Sequence, residues 1–363
     1  MTRLRVGILG CGAIAQIQYL PLLRELRDRF EIAALSDLSR NVMRALGAEY
    51  GVPAERQHVD VEEMIAGDID AVIVCHSGPH AGPSIAAARA GKHVLVEKPM
   101  CVTRAEGEAM VAAADAAGVV MMVAYMKRHD PAYRYAAERV AAMSEIQLVQ
   151  VNHFHPDNSL HLRRFPLIKP DDLPAGAGET LEAEWRPLIA EALGVAEDGI
   201  PARERAAFWW VLNSMIHDIG NLSGLFGPPE RVVSTELWAG GNGITTTLAY
   251  AAGFRAVVTW VDLPHLQTFE ETLAVYGSRG RVIVGFPTGF SIGLPTEVTL
   301  HGMDDDGKPY VKRHIWQDNP FREELIHLHG CIEHGVQPST PARDAVADIA
   351  LVADIIIASR REA

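Results

Sequence analysis

Three short stretches carry side chains able to do chemistry: Gly10-Cys11-Gly12-Ala13-Ile14-Ala15, Glu97-Lys98-Pro99, and Asn213 with His217. The first has the glycine spacing of a loop whose backbone can approach a pyrophosphate, and it directly follows the apolar run Leu4 to Leu9. The second closes the run Val94-Leu95-Val96, which puts Lys98 at the end of a buried-type strand. In the third, two polar side chains one helical turn apart face the same way. Oxidation of a secondary alcohol removes a hydride and a proton. A nicotinamide can accept the hydride, and a lysine or an imidazole the proton. Lys98 and His217 are the candidates for that proton; either could exchange it while the other hydrogen-bonds a hydroxyl. An ammonium beside the positive ring of an oxidised nicotinamide is disfavoured, so Lys98 would shed its proton more readily there. Asn213 does not titrate and would serve by hydrogen bonding.

These groups need strands and helices to hold them. Gly10 permits the tight turn, Gly12 lets the backbone close on phosphates, and Ala15 keeps close helix–strand packing. The N–H groups at Ala13 and Ile14 open a helix whose positive end suits an anion. A second strand, Ile32 to Leu35, ends at Asp37, where a carboxylate would accept from ribose hydroxyls and repel a 2′-phosphate. That favours NAD over NADP. Arg40 is the group that could serve a 2′-phosphate instead, against a solvated place in the next helix. Further strands are expected at Ala71 to Cys75, His93 to Glu97 and Val119 to Tyr125, with Cys75, His76 and His80 in the loop after the third. Thr103 with Glu106 forms a capping box. Strands alternating with helices in this way specify a parallel sheet, with ligands beyond its carboxyl ends.

From Ile146 the text becomes strand-rich. Gln147 to Phe154 alternates, and Arg231–Trp238, Thr245–Tyr250, Phe254–Val261, Glu271–Tyr276, Arg281–Val284, Thr296–Leu300 and Val311–Ile315 follow. Strands without intervening helices imply an open, mostly antiparallel sheet in an α+β domain. The expected division is 1–125 for the dinucleotide-binding domain and 126–363 for a substrate and oligomerisation domain. Within the latter, an insertion spans about 156–205, with a short helix near Glu182–Leu193, and has the length of a functional loop. A helix at about 342–361 is expected to pack back on the first domain. A long helix through Phe208-Trp209-Trp210 to Phe226 carries Asn213 and His217, with Trp209 before and Asn221 after them on the same stripe.

Composition closes several routes. A formal charge of -13 argues against nucleic acid as a partner. The apolar stretch Ala109 to Met126 is broken by Asp115 and Gly118 and reads as helix then strand, so no membrane partner is expected. Arg3 and Arg5 run straight into the first strand, unlike a signal peptide. Cys11, Cys75, Cys101 and Cys331 form no CxxC pair, which fits reduced thiols in a cytoplasm. His153-x-His155, with Asp157 and His161, raises a metal site, but sugar-binding histidines suit the pattern better and no metal is expected.

The combination resembles the glucose–fructose oxidoreductase / inositol dehydrogenase family (Gfo/Idh/MocA). It rests on the N-terminal GxGxxA, the run Ala90 to Pro99, Arg128-His129-Asp130-Pro131-Ala132-Tyr133, Ile216-His217-Asp218-Ile219, and Phe321-Arg322-Glu323-Glu324 followed by Pro338. It covers about 3–154, 207–287 and 318–363. The resemblance implies a Rossmann domain, a second domain on a large open sheet, a homodimer or homotetramer through that sheet, and nicotinamide-dependent chemistry on sugars or cyclic polyols. By position, Lys98 is the lysine of the family's EKP motif, and His217 the histidine of its D-x-x-x-H helix. Arg128, His155, Trp210 and Asn213 are expected against the substrate, and Glu97 beside the cofactor. Three departures stand out: Asn213 replaces the helix aspartate, Cys75-His76 replaces a Thr-Pro before the histidine at His80, and the insertion is added. The same resemblance admits a cofactor-binding regulator without turnover, or an NAD-assisted lyase or glycosidase.

Overall fold

In the computed structural model, residues 3–304 and 306–361 are described. The chain divides into two compact units. The first comprises Met1–Tyr125, Leu162–Ala192 and Glu324–Ile349; the second comprises Met126–His161, Leu193–Glu323 and Ala350–Ala363. The insertion and the C-terminal helix Ala342–Ala358 therefore contribute to both units.

The first unit holds a six-stranded sheet: β1 (Leu4–Leu9), β2 (Phe30–Ser36), β3 (Gln57–His58), β4 (Ala71–Val74), β5 (His93–Val96) and β6 (Met121–Val123), in the order β3-β2-β1-β4-β5-β6. Every pairing is parallel. β4 and β5 are almost wholly apolar because helices cover both faces, and β4 is buried at each residue. Helix starts follow from local chemistry. Ser39 accepts from Val42 N at the head of Arg40–Tyr50, and Thr103 and Glu106 complete both halves of the capping box on Arg104–Ala117. The order reverses between β1 and β4, which opens a crevice at their carboxyl ends. β6 is shorter than its apolar run, since the chain turns at Tyr125, whose N–H bonds back to Val123 O.

The second unit holds β7 (Ile146–His155), β8 (Arg231–Trp238), β9 (Gly243–Ala249), β10 (Arg255–Asp262), β11 (Glu270–Gly277), β12 (Gly280–Phe286), β13 (Thr296–Met303) and β14 (Pro309–Trp316). Their order is β14-β13-β12-β11-β7-β10-β9-β8, and among these pairs only β7 and β10 run parallel. Register lines up three rows on the buried face: Ala256–Val149–Val275, Val258–Val151–Leu273 and Trp260–His153–Glu271. Two rows are apolar; the third is not. Val211, Leu212, Met215, Ile216, Ile219 and Leu222 of the long helical stretch are all buried at 1% exposure or less. That stretch is continuous but not uniform: Ala202–Trp210 and Ile216–Phe226 are α, and Val211–Met215 between them is a π-helix. The insertion helix runs Ala177–Leu193, longer than the sequence pattern suggests.

Candidate functional site

At the crevice of the first unit, Gly10 has φ +94°, and a Cβ on it would stand 2.4 Å from the backbone of His76. Only glycine lets the loops after β1 and β4 meet so closely. Gly12 is exposed, and a Cβ there would meet nothing within 4 Å. The half-buried Ala13 and Ile14 begin the helix, where the first N–H groups lack intrahelical acceptors. Asp37 ends β2 with its carboxylate aimed by two backbone donors, Cys11 N at 2.7 Å and Ser39 N at 2.8 Å. Among the described residues His76 Nδ1 is buried with no hydrogen-bond partner, and burial pushes its imidazole down to about 4, with His80 adding to the effect. Open backbone over a helix start, a directed carboxylate and an orphaned ring nitrogen fit a dinucleotide.

Lys98 is half-buried at the end of β5. Its backbone N–H donates to Glu97 Oε2 at 3.0 Å, and Tyr19 Oη donates to Glu97 Oε1 at 2.8 Å. His80 Nδ1 lies 3.0 Å from Glu97 O and 2.7 Å from Pro99 O, while Nε2 lies 2.8 Å from His76 O. The ring thus fastens the lysine loop to the loop after β4. Behind it Glu324 is fully buried, and desolvation holds its carboxyl well above the usual range, with Glu97 raising it further.

In the second unit, Asn213 and His217 are half-buried while the residues between them are buried, so both reach one surface. The amide at 213 lies in the π-helical turn and bonds back to the helix before it. Asn213 Nδ2 donates to Trp209 O at 3.0 Å, a bond that an ionised carboxylate could not make. The turn is pinned from below: Trp260 Nε1 donates to Ser214 Oγ at 2.9 Å, and Ser214 Oγ lies 3.4 Å from His155 Nδ1. Trp260 stacks on Trp210 with centroids 4.8 Å apart and on His155 at 5.8 Å.

Directly after His217, Asp218 enters a buried ionic cluster. His153 Nδ1 bonds Asp218 Oδ2 at 2.8 Å and lies 3.7 Å from Glu271 Oε2, on which the Lys127 ammonium also bonds. Burial pushes the Asp218 carboxyl up to about 7, Lys127 opposing it, and raises Glu271 as well. His153, Asp218 and Glu271 stand close enough to hold a cation. Lys127 already brings a positive charge to Glu271, so the set is an ion network.

Several sequence-predicted roles change. Cys75 is buried and its Sγ donates to Gly10 O at 3.2 Å, so it packs the crevice floor. His80 and Glu97 are 5% and 7% exposed, with their polar atoms bonded within the protein around the Lys98 loop. The Arg128 side chain packs against Gly224, where a Cβ would stand 2.8 Å from its Nε. Trp210 commits its Nε1 to Asn242 Oδ1 at 2.8 Å and offers only ring surface. Asn221 is buried and its carbonyl accepts from Tyr133 Oη, so the polar stripe stops at His217. Arg40 is exposed at the head of its helix. The sequence reading missed Tyr19, Glu324, Lys127, Glu271 and Ser214. For Glu271 a signal existed, since it shares the strand face of Leu273 and Val275.

The family model described as an oxidoreductase family with an NAD-binding Rossmann fold matches residues 4–125. The 4-carboxy-2-hydroxymuconate-6-semialdehyde dehydrogenase of Sphingobium sp. is 31% identical over 151 residues, 41% of this chain, and the match spans under half, 46%, of that protein. The 1,5-anhydro-D-fructose reductase of Ensifer adhaerens is 30% identical over 353 residues, covering 95% of this chain and 93% of the reductase. This long match takes in most of the insertion and hairpins that the motif resemblance leaves aside. Among solved structures, the WlbA dehydrogenase of Bordetella pertussis, in complex with NADH and UDP-GlcNAcA, superposes with a TM-score of 0.72 at 21% identity, covering 100% of this chain and 98% of that one. Carried by near full-length similarity to a reductase and by the matched Rossmann segment, the chain belongs to the Gfo/Idh/MocA family of oxidoreductases.

Proposed function

We propose that this protein is an NAD(P)-dependent dehydrogenase or reductase, with NAD preferred, acting on a CH–OH carbon or the matching ketone of a sugar, sugar derivative or cyclitol. The carrying observation is the crevice at β1 and β4, where Gly10 meets His76 and Asp37 is held open by Cys11 and Ser39, with Lys98 fixed at the end of β5. Relatives whose names specify anhydrofructose or a bound UDP-sugar acid support the substrate class. Gly12, Ala13 and Ile14 would receive the pyrophosphate, and Asp37 the adenosine ribose. When bound, the nicotinamide supplies hydride transfer.

The protein's own residues then handle the proton. His217 exchanges it with the substrate oxygen, and Lys98 hydrogen-bonds the same or a neighbouring hydroxyl; Asn213 orients substrate with its amide oxygen, its Nδ2 being held by Trp209. His155 and the Trp210 ring, tilted at 44° with centroids 6.1 Å apart, offer aromatic surface to a sugar ring. The sheet face opposite the buried rows carries Gln150, Val257 and Ile283, and it is the surface we assign to a homodimer or homotetramer. Among the described residues, no helix is long and apolar enough to cross a membrane.

The test is a screen of sugars, sugar acids and cyclitols by nicotinamide absorbance. Lys98→Ala and His217→Ala should each lower kcat by at least ~100-fold, the scale of acid–base catalysis, with cofactor Kd kept. Full turnover by Lys98→Ala would sink its role. The amide at Asn213 favours one rival reading, a cofactor-binding sensor, for which tight NAD binding with no turnover on any substrate would speak.

A further inference from the structure

The insertion does not stand apart from the dinucleotide crevice; residues 162–192 belong to the same compact unit as the parallel sheet. Its strap is tied down at two places. On one side, Gln16 of the fingerprint helix grips the Ile168 backbone from both directions: Ile168 N donates to Gln16 Oε1 at 2.9 Å, and Gln16 Nε2 donates to Ile168 O at 2.9 Å and to Cys11 O at 2.8 Å. On the other side, Ser39 Oγ donates to Asp172, Asn41 N donates to Asp172 Oδ2 at 3.0 Å, and Asn41 Nδ2 donates to Asp171. The strap thus runs from the helix after the glycines to the head of the helix Arg40–Tyr50. That corner is where Asp37 would hold the adenosine ribose.

A helix N-terminus with a serine cap favours an anion, and here a carboxylate of the chain already takes the position. Arg40 directly follows Ser39 in the chain, and Asp171, Asp172 and Asp37 bring three carboxylates to the same corner. The Ser39 hydroxyl and then the backbone N–H groups of Asn41 and Arg40 hold the Asp172 carboxyl below the usual range, so it stays ionised. A 2′-phosphate on a ribose facing Asp37 would need the same hydroxyl and N–H donors, and would meet two carboxylates instead.

We propose that Asp172, held on Ser39 and Asn41 by the insertion strap, is a specificity-determining residue that occupies the place of a 2′-phosphate and makes the site selective for NAD over NADP. The inference rests on the dinucleotide reading of the crevice and extends it to a residue outside the Rossmann sequence. It accounts for why Arg40, exposed at the right position, would not make the protein an NADP enzyme.

The experiment is direct titration of the full-length protein with NADH and with NADPH, followed by nucleotide fluorescence. Wild type should bind NADH more tightly than NADPH. Asp172→Asn should keep NADH within about threefold and tighten NADPH at least tenfold, whereas Asp172→Glu, which retains the charge, should keep the wild-type ratio. Asp37→Ser separates the two acids by weakening NADH itself. An NADPH/NADH ratio unmoved by Asp172→Asn, with NADH still bound, overturns the role of Asp172 and leaves the dinucleotide reading standing. A wild type that prefers NADPH overturns the role equally. If wild type binds neither nucleotide, the dinucleotide reading fails and the proposal falls with it.

Discussion

Each proposed proton handler has a buried carboxyl as its sequence neighbour, Glu97 before Lys98 and Asp218 after His217, and the two units keep these acids in opposite ways. In the first unit the supports are neutral. Glu97 accepts from the Tyr19 hydroxyl and the Lys98 N–H, and Glu324 behind it is fully buried beside the same tyrosine. Desolvation, with Glu97 adding to it, raises the Glu324 carboxyl well above its usual range and so favours its neutral form. In the second unit the support is a counter-ion: Lys127, 4% exposed, sits on Glu271 beside His153 and Asp218. One cluster surrounds its acids with neutral groups, and the other encloses a cation with them. The lesson is that similar burial predicts different responses to the loss of a charge.

The largest effect should come from Lys127→Met. Removing one member of a buried pair leaves an uncompensated charge, at a cost of ~3–5 kcal/mol. Equilibrium denaturation would show it, and Lys127→Met with Glu271→Gln should recover a good part of the loss. The matching change in the first unit, Glu324→Gln, replaces a neutral acid by a neutral amide and should stay within about 1 kcal/mol. Equal losses for the two would break the comparison. An intermediate effect is expected for Tyr19→Phe, which strips one donor from the buried Glu97 side chain and should cost ~1–3 kcal/mol. Because Glu97 also holds the Lys98 backbone, Tyr19→Phe should lower kcat with little change in cofactor Kd. A drop in stability with kcat untouched would separate the cluster from the chemistry.

Much of the frame is legible in the residues, because it depends on periodicity and local turns. The apolar runs of β1, β4 and β5, the alternation along β7, and the caps at Thr103 and Gly118 need no distant information. β3, with two residues, and the short helix Val61–Ala66 are too brief to show a period. The π-helical turn at Val211–Met215 escaped too, since the side chains that bond its Ser214, Trp260 and His155, lie on distant strands. Of the candidate site, the glycines, Asp37, Lys98 and the Asn213–His217 pair were readable as a pattern. What could not be read was commitment: whether His80, Glu97, Arg128 or Trp210 spends its polar atoms inside the protein is decided by partners far away in the chain. The insertion shows the same limit, for nothing near Asp172 announces Ser39 as its partner.

The smallest effect is also the one that tests the comparison by sign. Burial raises Asp218 in the second unit to about 7 and lowers His76 in the first to about 4. A carboxyl with a raised folded value keeps its proton where the unfolded chain has lost it. Its contribution is full below the ordinary value of 3.8 and fades as pH rises through about 7. An imidazole with a lowered folded value stays neutral where the unfolded chain takes a proton. Its contribution is full above the ordinary 6.5 and is lost as pH falls toward about 4. The window common to both lies between these limits, and one proton sets a slope of at most ~1.4 kcal/mol per pH unit. Between pH 6 and 7 each group should therefore contribute about 1 kcal/mol or less, His76 the less because solvent still reaches part of it. Melting curves across this interval should show the gap between wild type and Asp218→Asn narrowing as pH rises. The gap between wild type and His76→Gln should move the opposite way. Parallel shifts of the two gaps would mean that one global titration, and not two opposed buried groups, governs the pH dependence.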